Sequence, residues 1–404
     1  MHSKSSLLIL LYLLCCISCG ENDLDSPGQT NLEIVNLSDQ WHGLESHAYS
    51  FSAHTGRYRL ESSGNSDLIP FVKYSVSVHR FTYQTTFKGN VVTASGAIAI
   101  PIGKQNPSIM VYHHGTMFND DDTPSMQKHI SSWGMELPAS NGFIVFIPDY
   151  IGYGTTAEII HPYHLYRPAV DASIDMIVAG KEFLKENNIT FHDDGIFLAG
   201  FSEGGYDAFA VQKEIESNPG LNIKIKASAP GAGAYDVDYQ FRVTTATDIY
   251  PGPGYMGMAL SAYNDYYFQK PLTYFFLPEF ADRIPDLISG KYAEAYVHRQ
   301  LPERLSLFID PEFLEAYRSG SDPVFADLLN ENNVNNFNVQ SPTRFIHGTA
   351  DAVVPFPVAE KSYHDLLEQG TSSDVLELYS FTSGHDSMKY LKLMMEWFNS
   401  MEAE

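Results

Sequence analysis

Ile196-Phe197-Leu198-Ala199-Gly200-Phe201-Ser202-Glu203-Gly204-Gly205 is the stretch on which the fold of this chain turns. Ile196 to Leu198 is an apolar run of the kind that forms a buried strand, and a helical pattern follows Gly205. Between them lies Gly-x-Ser-x-Gly. Such a turn holds a serine at a tight strand-to-helix junction in strained backbone geometry. It also aims a helix N-terminus at any negative charge that develops beside the serine. Side chains at the flanking positions would strike the sheet and the helix, hence the glycines. The five-residue pattern alone is weak. At average Gly and Ser usage, ~7% each, a chain of this length shows it by chance about one time in ten. The strand before it and the helix after it make it strong.

Working outward, Lys73 to Phe87 alternates loosely (Tyr74, Val76, Val78, Phe81, Tyr83) and reads as a long strand. Lys88-Gly89-Asn90 is a turn, and Val91 to Ile100 is a second strand ended by Pro101, so the two form a hairpin. Short, wholly apolar runs follow at Ile109 to Tyr112, Phe143 to Ile147 and Ile196 to Leu198, with a further strand at Ile223 to Ala229. Ala169 to Lys185 carries Ile174, Ile177, Val178 and Phe183 at helical spacing. Buried strands alternating with helices imply an α/β class with a mostly parallel central sheet. An antiparallel hairpin leading into such a sheet resembles the α/β-hydrolase fold. The alternation stops from about Asp236 to Phe337, where aromatics are dense and helical patterns recur at Lys291 to Arg299 and Pro311 to Arg318. This segment reads as a helical cap. An Asn-rich link, Asn330 to Asn338, leads back to strand Thr343 to His347, helix Ala359 to Glu368, strand Val375 to Tyr379 and helix Ser387 to Met401. The expected organisation is a leader at 1–19, a tether at 20–45, the first part of the core at 46–235, a helical aromatic-rich cap at 236–337 and the second part of the core at 338–404.

A serine hydroxyl needs a base. In the α/β-hydrolase order of Ser, acid and His, the base comes after the last strand. His385, in Ser383-Gly384-His385-Asp386, stands there. It would take the proton from Ser202 and return it to the leaving group. The acid should follow the preceding strand, and His347-Gly348-Thr349-Ala350-Asp351 puts Asp351 in that place. Asp351 would hold the His385 tautomer and stabilise its cation. Asp374 and Asp386 are rivals, but Asp374 opens the last strand at the wrong end and Asp386 adjoins the base. An oxyanion hole needs two backbone N–H groups. One is that of Glu203. The other belongs to the loop His113-His114-Gly115-Thr116-Met117, with Thr116 the expected donor and Met117 the alternative.

His-Gly-Thr, then Pro148-Asp149-Tyr150-Ile151-Gly152-Tyr153-Gly154, then Gly-x-Ser-x-Gly-Gly, then a large cap before the acid, resemble the secretory, lipase A-like lipases. The resemblance runs in motif order from Lys73 to the C-terminus. It is specific around Ser202, Asp351 and His385 and loose through the cap. It implies ester hydrolysis under a cap and leaves the acyl chain open.

The chain has 404 residues, 44% hydrophobic and 18% charged, which suits a packed core. Its formal net charge of -24 repels nucleic acid and anionic head groups, so no nucleic-acid partner is expected. Oligomeric state is not readable. Lys4 and the apolar run Leu7 to Leu14 resemble an export leader. Ser18-Cys19-Gly20 resembles a bacterial lipobox, which implies acylation of Cys19 and a cell-envelope membrane anchor. The departure is Cys16 where Leu is usual, and an ordinary signal peptide cut between Ser18 and Gly20 is the alternative. The three cysteines all lie at 15–19, so no disulfide is expected in the mature domain.

Other conspicuous residues have plainer readings. Asp149 and Tyr150 read as braces for the oxyanion loop. His161 and His164 lack a companion ligand motif and read as loop residues, not metal ligands. Asp120-Asp121-Asp122 reads as a solvated acidic turn, and His113 as structural. No metal or organic cofactor is required by the chemistry. Two rivals stand beside the esterase: a serine peptidase of the prolyl oligopeptidase or aminopeptidase type, and a non-catalytic surface-binding lipoprotein on a hydrolase scaffold.

Overall fold

A strand that the hydrophobic pattern does not announce, β1 (His47–Phe51), opens the sheet and pairs antiparallel with β2 (Val76–Phe87). In this computed structural model the described residues are 47–127, 133–321 and 323–402. They fall in one unit, Asp39–Glu404; the expected leader, Cys19 and the tether lie outside the described residues. The sheet therefore begins before Lys73, one strand earlier than the alternation suggests.

β2 and β3 (Asn90–Pro101) pair antiparallel through the Lys88-Gly89 turn. Both turn residues have positive φ, 48° and 75°. That is the backbone twist a two-residue hairpin needs, and Gly89 adopts it without strain. The remaining strands are β4 (Ser108–His113), β5 (Ile144–Pro148), β6 (His192–Phe201), β7 (Ile225–Gly231), β8 (Thr343–Gly348) and β9 (Leu376–Phe381). Their order across the sheet is β1-β2-β3-β5-β4-β6-β7-β8-β9. Pairing is antiparallel up to β3–β5 and parallel from β5 onward. β4 and β5 are buried at every position because helices cover both faces, which explains their unbroken apolar runs. β2 alternates buried and half-buried, as a strand with one covered face should.

The helices before the cap are α1 (Ala53–Ser62), α2 (Trp133–Asn141), α3 (Tyr166–Glu186) and α4 (Glu203–Ser217). Those between β7 and β8 are α5 (Val237–Ala246), α6 (Pro253–Tyr263), α7 (Pro278–Ala281), α8 (Ile284–Leu287), α9 (Glu294–Gln300), α10 (Pro311–Ser319) and α11 (Pro323–Glu331). α12 (Phe356–Glu368) and α13 (Ser387–Glu402) complete the chain. α3, α4 and α12 pack on one sheet face, and α1, α2 and α13 on the other. Phe81, Phe146, Phe183, Phe197 and Phe209 are completely buried, each contributing roughly 1.5–3 kcal/mol of transfer free energy. No helix among the described residues is long and apolar enough to cross a membrane.

α5 to α11 pack an aromatic cluster that is continuous with the core on the α3 and α4 face of the sheet. Phe325 is at its centre, with ring centroids 5.3 Å from Phe241, 5.2 Å from Phe313 and 5.8 Å from Tyr317. The Asn-rich return explains its composition through its bonds. Asn332 Oδ1 accepts from the Tyr166 N–H at 2.8 Å, and its carbonyl accepts from the Tyr206 hydroxyl at 2.8 Å. Asn333 Oδ1 accepts from the Val237 N–H at 2.6 Å. Short amide side chains satisfy backbone groups that would otherwise be buried unpaired where cap and core helices meet.

Candidate active site

Ser202 caps α4 with φ 63° and ψ -123°, a conformation few L-residues adopt. Strain of this kind costs about 1–3 kcal/mol and persists only where the surroundings impose it. Here they do. The Ser202 N–H donates to the Gly231 carbonyl at 2.9 Å. A Cβ at Gly200 would overlap the Gly204 carbonyl, one at Gly204 would overlap that of His113, and one at Gly205 would overlap that of Gly231. From below, Tyr390 of α13 accepts the Gly200 N–H at 2.9 Å and donates to the Ala229 carbonyl at 2.6 Å. The C-terminal ends of β6 and β7 are thus tied by one phenol beneath the turn.

His385 and Asp351 stand on the loops after β9 and β8. His385 Nδ1 donates to Asp351 Oδ2 at 2.6 Å. The carboxylate can only accept, so Nδ1 carries a proton, and in the neutral ring the lone pair is then on Nε2. The His385 ring lies 4.6 Å from that of Phe201, the neighbour of Ser202. Asp351 Oδ1 accepts the N–H groups of Val353 and Val354, each at 2.9 Å. His347, fully buried, donates from Nε2 to the Val354 carbonyl at 2.8 Å and lies 3.4 Å from Asp351 Oδ2. Burial would push the Asp351 carboxyl up. Hydrogen bonds from His347 and His385, and their charges, outweigh it and hold the carboxyl below the usual range. The rival carboxylates point elsewhere. Asp386 accepts from the Ser383 hydroxyl at 3.1 Å and from the Lys389 N–H at 2.9 Å, capping α13. Asp374 is exposed before β9. His347 was not singled out from sequence; its signal was only its place in His-Gly-x-x-Asp.

The loop 113–117 lies beside the serine: a Cβ on Gly115 would sit 3.4 Å from the Phe201 carbonyl and 3.7 Å from Ser202 Cβ. Tyrosines hold the loop from behind. The Tyr150 hydroxyl donates to the His114 carbonyl at 2.9 Å, and that of Tyr153 to the Met117 carbonyl at 2.5 Å. Thr116 Oγ1 donates to the Tyr163 hydroxyl at 3.0 Å. Asp149 accepts the Ser125 N–H at 2.8 Å and the Ser95 hydroxyl at 2.6 Å. Tyr150, Tyr153 and Tyr163 thus brace the loop through their side chains, whereas the Asp149 carboxylate ties Ser95 to Ser125 and meets the loop through its backbone carbonyl, 3.3 Å from His114 Nε2. His113 is fully buried against Ser173, and burial lowers its pKa to about 3.

Beneath the elbow, α4 buries two carboxyl groups one turn apart. The Glu203 carboxylate pairs with His161 Nε2. Burial opposes its charge, and His161 outweighs burial, holding it below the usual range. Asp207 has no histidine of this kind and shares a hydrogen bond with Tyr150. Burial, with the Glu203 charge added, outweighs the Tyr150 hydrogen bond and pushes its pKa well above the usual range, favouring the protonated acid in the fold. In the unfolded chain it ionises near pH 4. Above that pH the unfolded state is favoured by about 1.4 kcal/mol per pH unit until the folded group also ionises. Asp207→Asn is therefore expected to raise the melting temperature at pH 7, with the gain shrinking as pH falls toward 4. Calorimetry across that range checks it; a gain that grows toward acid would contradict the assignment.

Ser202 opens into an apolar cavity of about 60 Å³ under the cap. Tyr163, His164, Tyr250, Leu260, Tyr263 and Phe325 are among its walls. Burial lowers the His164 pKa to about 4, so its imidazole faces this space neutral.

The antiparallel entry, the parallel run from β5 to β9 and the helices on both faces define an α/β-hydrolase fold, the class expected from the sequence. No protein-family model and no curated protein matches the sequence. Solved structures do. A Legionella pneumophila protein assigned as a hydrolase superposes with a TM-score of 0.78 at 24% identity, over 90% of this chain and 98% of that one. The rice cell wall degrading esterase LipA from Xanthomonas oryzae gives 0.74 at 22% identity, over 89% and 95%. Candida antarctica lipase A in its closed state gives 0.61 at 16% identity, over 77% and 73%.

Proposed function

We propose that the protein hydrolyses carboxylic esters through an acyl-enzyme on Ser202. The observation that carries this reading is a serine in strained geometry at the wall of an apolar, capped cavity, with a hydrogen-bonded His385–Asp351 pair beside it. His385 Nε2 takes the Ser202 proton as Oγ attacks the ester carbonyl carbon. The resulting oxyanion receives the N–H of Glu203 and that of Thr116, with Met117 the alternative donor. His385 then protonates the departing alcohol. Water, deprotonated by the same nitrogen, releases the acid and restores Ser202. Burial of the cavity strengthens each of these interactions.

The apolar cavity beside Ser202 is small, which favours a short acyl group over a long one. On nitrophenyl esters from acetate to palmitate, kcat/KM should peak at short chains and fall about 100-fold or more by palmitate. A flat or rising profile would contradict this. Acylated glycans belong in the same panel, because the Xanthomonas esterase is described as degrading rice cell wall and has the same fold.

One observation favours a second reading. Glu294 of the cap, held by the Tyr255 hydroxyl, is close enough for the His385 charge to act on it. A carboxylate within reach of the His385 charge suits a substrate amine. Faster turnover of an aminoacyl nitroanilide than of nitrophenyl butyrate would replace the esterase by an aminopeptidase.

A further inference from the structure

His161 stands apart from the Ser202, Asp351 and His385 group, yet its imidazole touches the supports of both candidate oxyanion donors. Nδ1 donates to the Ile151 carbonyl at 2.7 Å, and Nε2 holds the Glu203 carboxylate. The Tyr153 ring lies 4.6 Å from it, Tyr150 stacks at 6.0 Å, and Tyr163 meets it edge-on at 6.0 Å. These are the three tyrosines bonded to His114, Thr116 and Met117. Gly152 leaves no slack on the far side, since a Cβ there would overlap the His161 backbone. His164 turns away, with its ring 4.0 Å from that of Tyr163 and 5.0 Å from that of Tyr206, so the two histidines do not converge on a shared ligand.

We propose that His161 is a positioning residue for the oxyanion hole: it fixes the Glu203 N–H relative to the Thr116–Met117 backbone by holding the Glu203 side chain and packing against the three tyrosines that hold the loop. The inference rests on the reading of Ser202 as the nucleophile. A backbone N–H points where its peptide plane is held. The plane between Ser202 and Glu203 follows a strained residue that would relax if released. The buried Glu203 carboxylate is its anchor, and His161 is what that anchor grips. Among the described residues the buried Glu203 Oε2 has no hydrogen-bond partner, so the attachment runs through Oε1 and His161. Nothing in this role requires His161 to touch substrate.

The test uses the full chain with nitrophenyl butyrate and a fluorophosphonate probe. Losing one oxyanion donor outright costs about 10²–10³ in kcat, so displacing one in His161→Phe should cost about 10–100-fold, with KM within about three-fold. Glu203→Leu should match that loss. Glu203→Gln, whose amide can still donate to His161 Nε2, should recover at least about ten-fold of it. The double variant His161→Phe/Glu203→Leu should be no slower than the slower single, because both break one contact. Unchanged kcat in His161→Phe, a Glu203→Gln as slow as Glu203→Leu, or losses that multiply would each overturn the proposal. If His161→Phe does not fold, Tyr153→Phe and Tyr163→Phe carry the test. Each removes one hydroxyl from the loop and should lower kcat several-fold at constant KM; unchanged kcat in both overturns it. Probe labelling of the parent separates the two failures. An unlabelled Ser202 in the parent defeats the nucleophile reading and this inference with it. A labelled parent with an unaffected His161→Phe defeats the inference alone.

Discussion

Ser202→Ala is expected to lower kcat for ester hydrolysis by about six orders of magnitude, leaving only what binding and the oxyanion donors contribute. Alanine removes the oxygen that attacks, and no other hydroxyl occupies the cap of α4. The fold should survive. Gly231 still receives the backbone N–H, and alanine meets the same steric limits at φ 63° as serine does. The melting temperature should therefore stay close to that of the parent while turnover vanishes. More than about one per cent residual activity in a folded Ser202→Ala protein would remove the serine from the mechanism.

Asp351→Asn should cost about 10⁴ in kcat, and the hydrogen-bond pattern says why. The N–H groups of Val353 and Val354 point at Oδ1, so an asparagine must place its carbonyl oxygen there. Its NH₂ then faces His385 Nδ1 and donates to it. The ring proton moves to Nε2, the nitrogen that must accept the Ser202 proton, and the base is lost. The same NH₂ also meets the donor Nε2–H of His347, so some stability should go as well. Asp374→Asn, on the exposed approach to β9, should leave kcat unchanged. Asp386→Asn should affect only the start of α13, by about 1 kcal/mol or less, since asparagine also caps. A 10⁴-fold loss at either of these, with Asp351→Asn active, would move the acid.

The elbow is legible because its three glycines, Gly200, Gly204 and Gly205, stand within three residues of Ser202, although two of the carbonyls they make room for, those of His113 and Gly231, are remote in sequence. His385 and Asp351 are legible because the strand order puts them after the last two strands. β1 is not, since five residues without clear alternation become a strand only by pairing with β2. The supports of the oxyanion loop are equally hidden. Tyr150, Tyr153 and Tyr163 come from the one connection between β5 and α3, and only the folded chain shows that all three bond to residues 114–117. Glu203 shows the limit most sharply. In sequence it is the variable residue of a motif and supplies an N–H. In the fold its carboxylate is buried and paired with His161, forty-two positions earlier. The cavity walls come from both core and cap, so its size could not be read from either.

The central claim is that Ser202 is the acyl-accepting nucleophile. Peptide mapping by mass spectrometry, after the folded protein is treated with a fluorophosphonate, tests it most directly. A single phosphonyl adduct on the peptide containing Ser202, formed in step with loss of esterase activity, is the expected result. An adduct on another residue, or full inactivation with Ser202 unmodified, would contradict it.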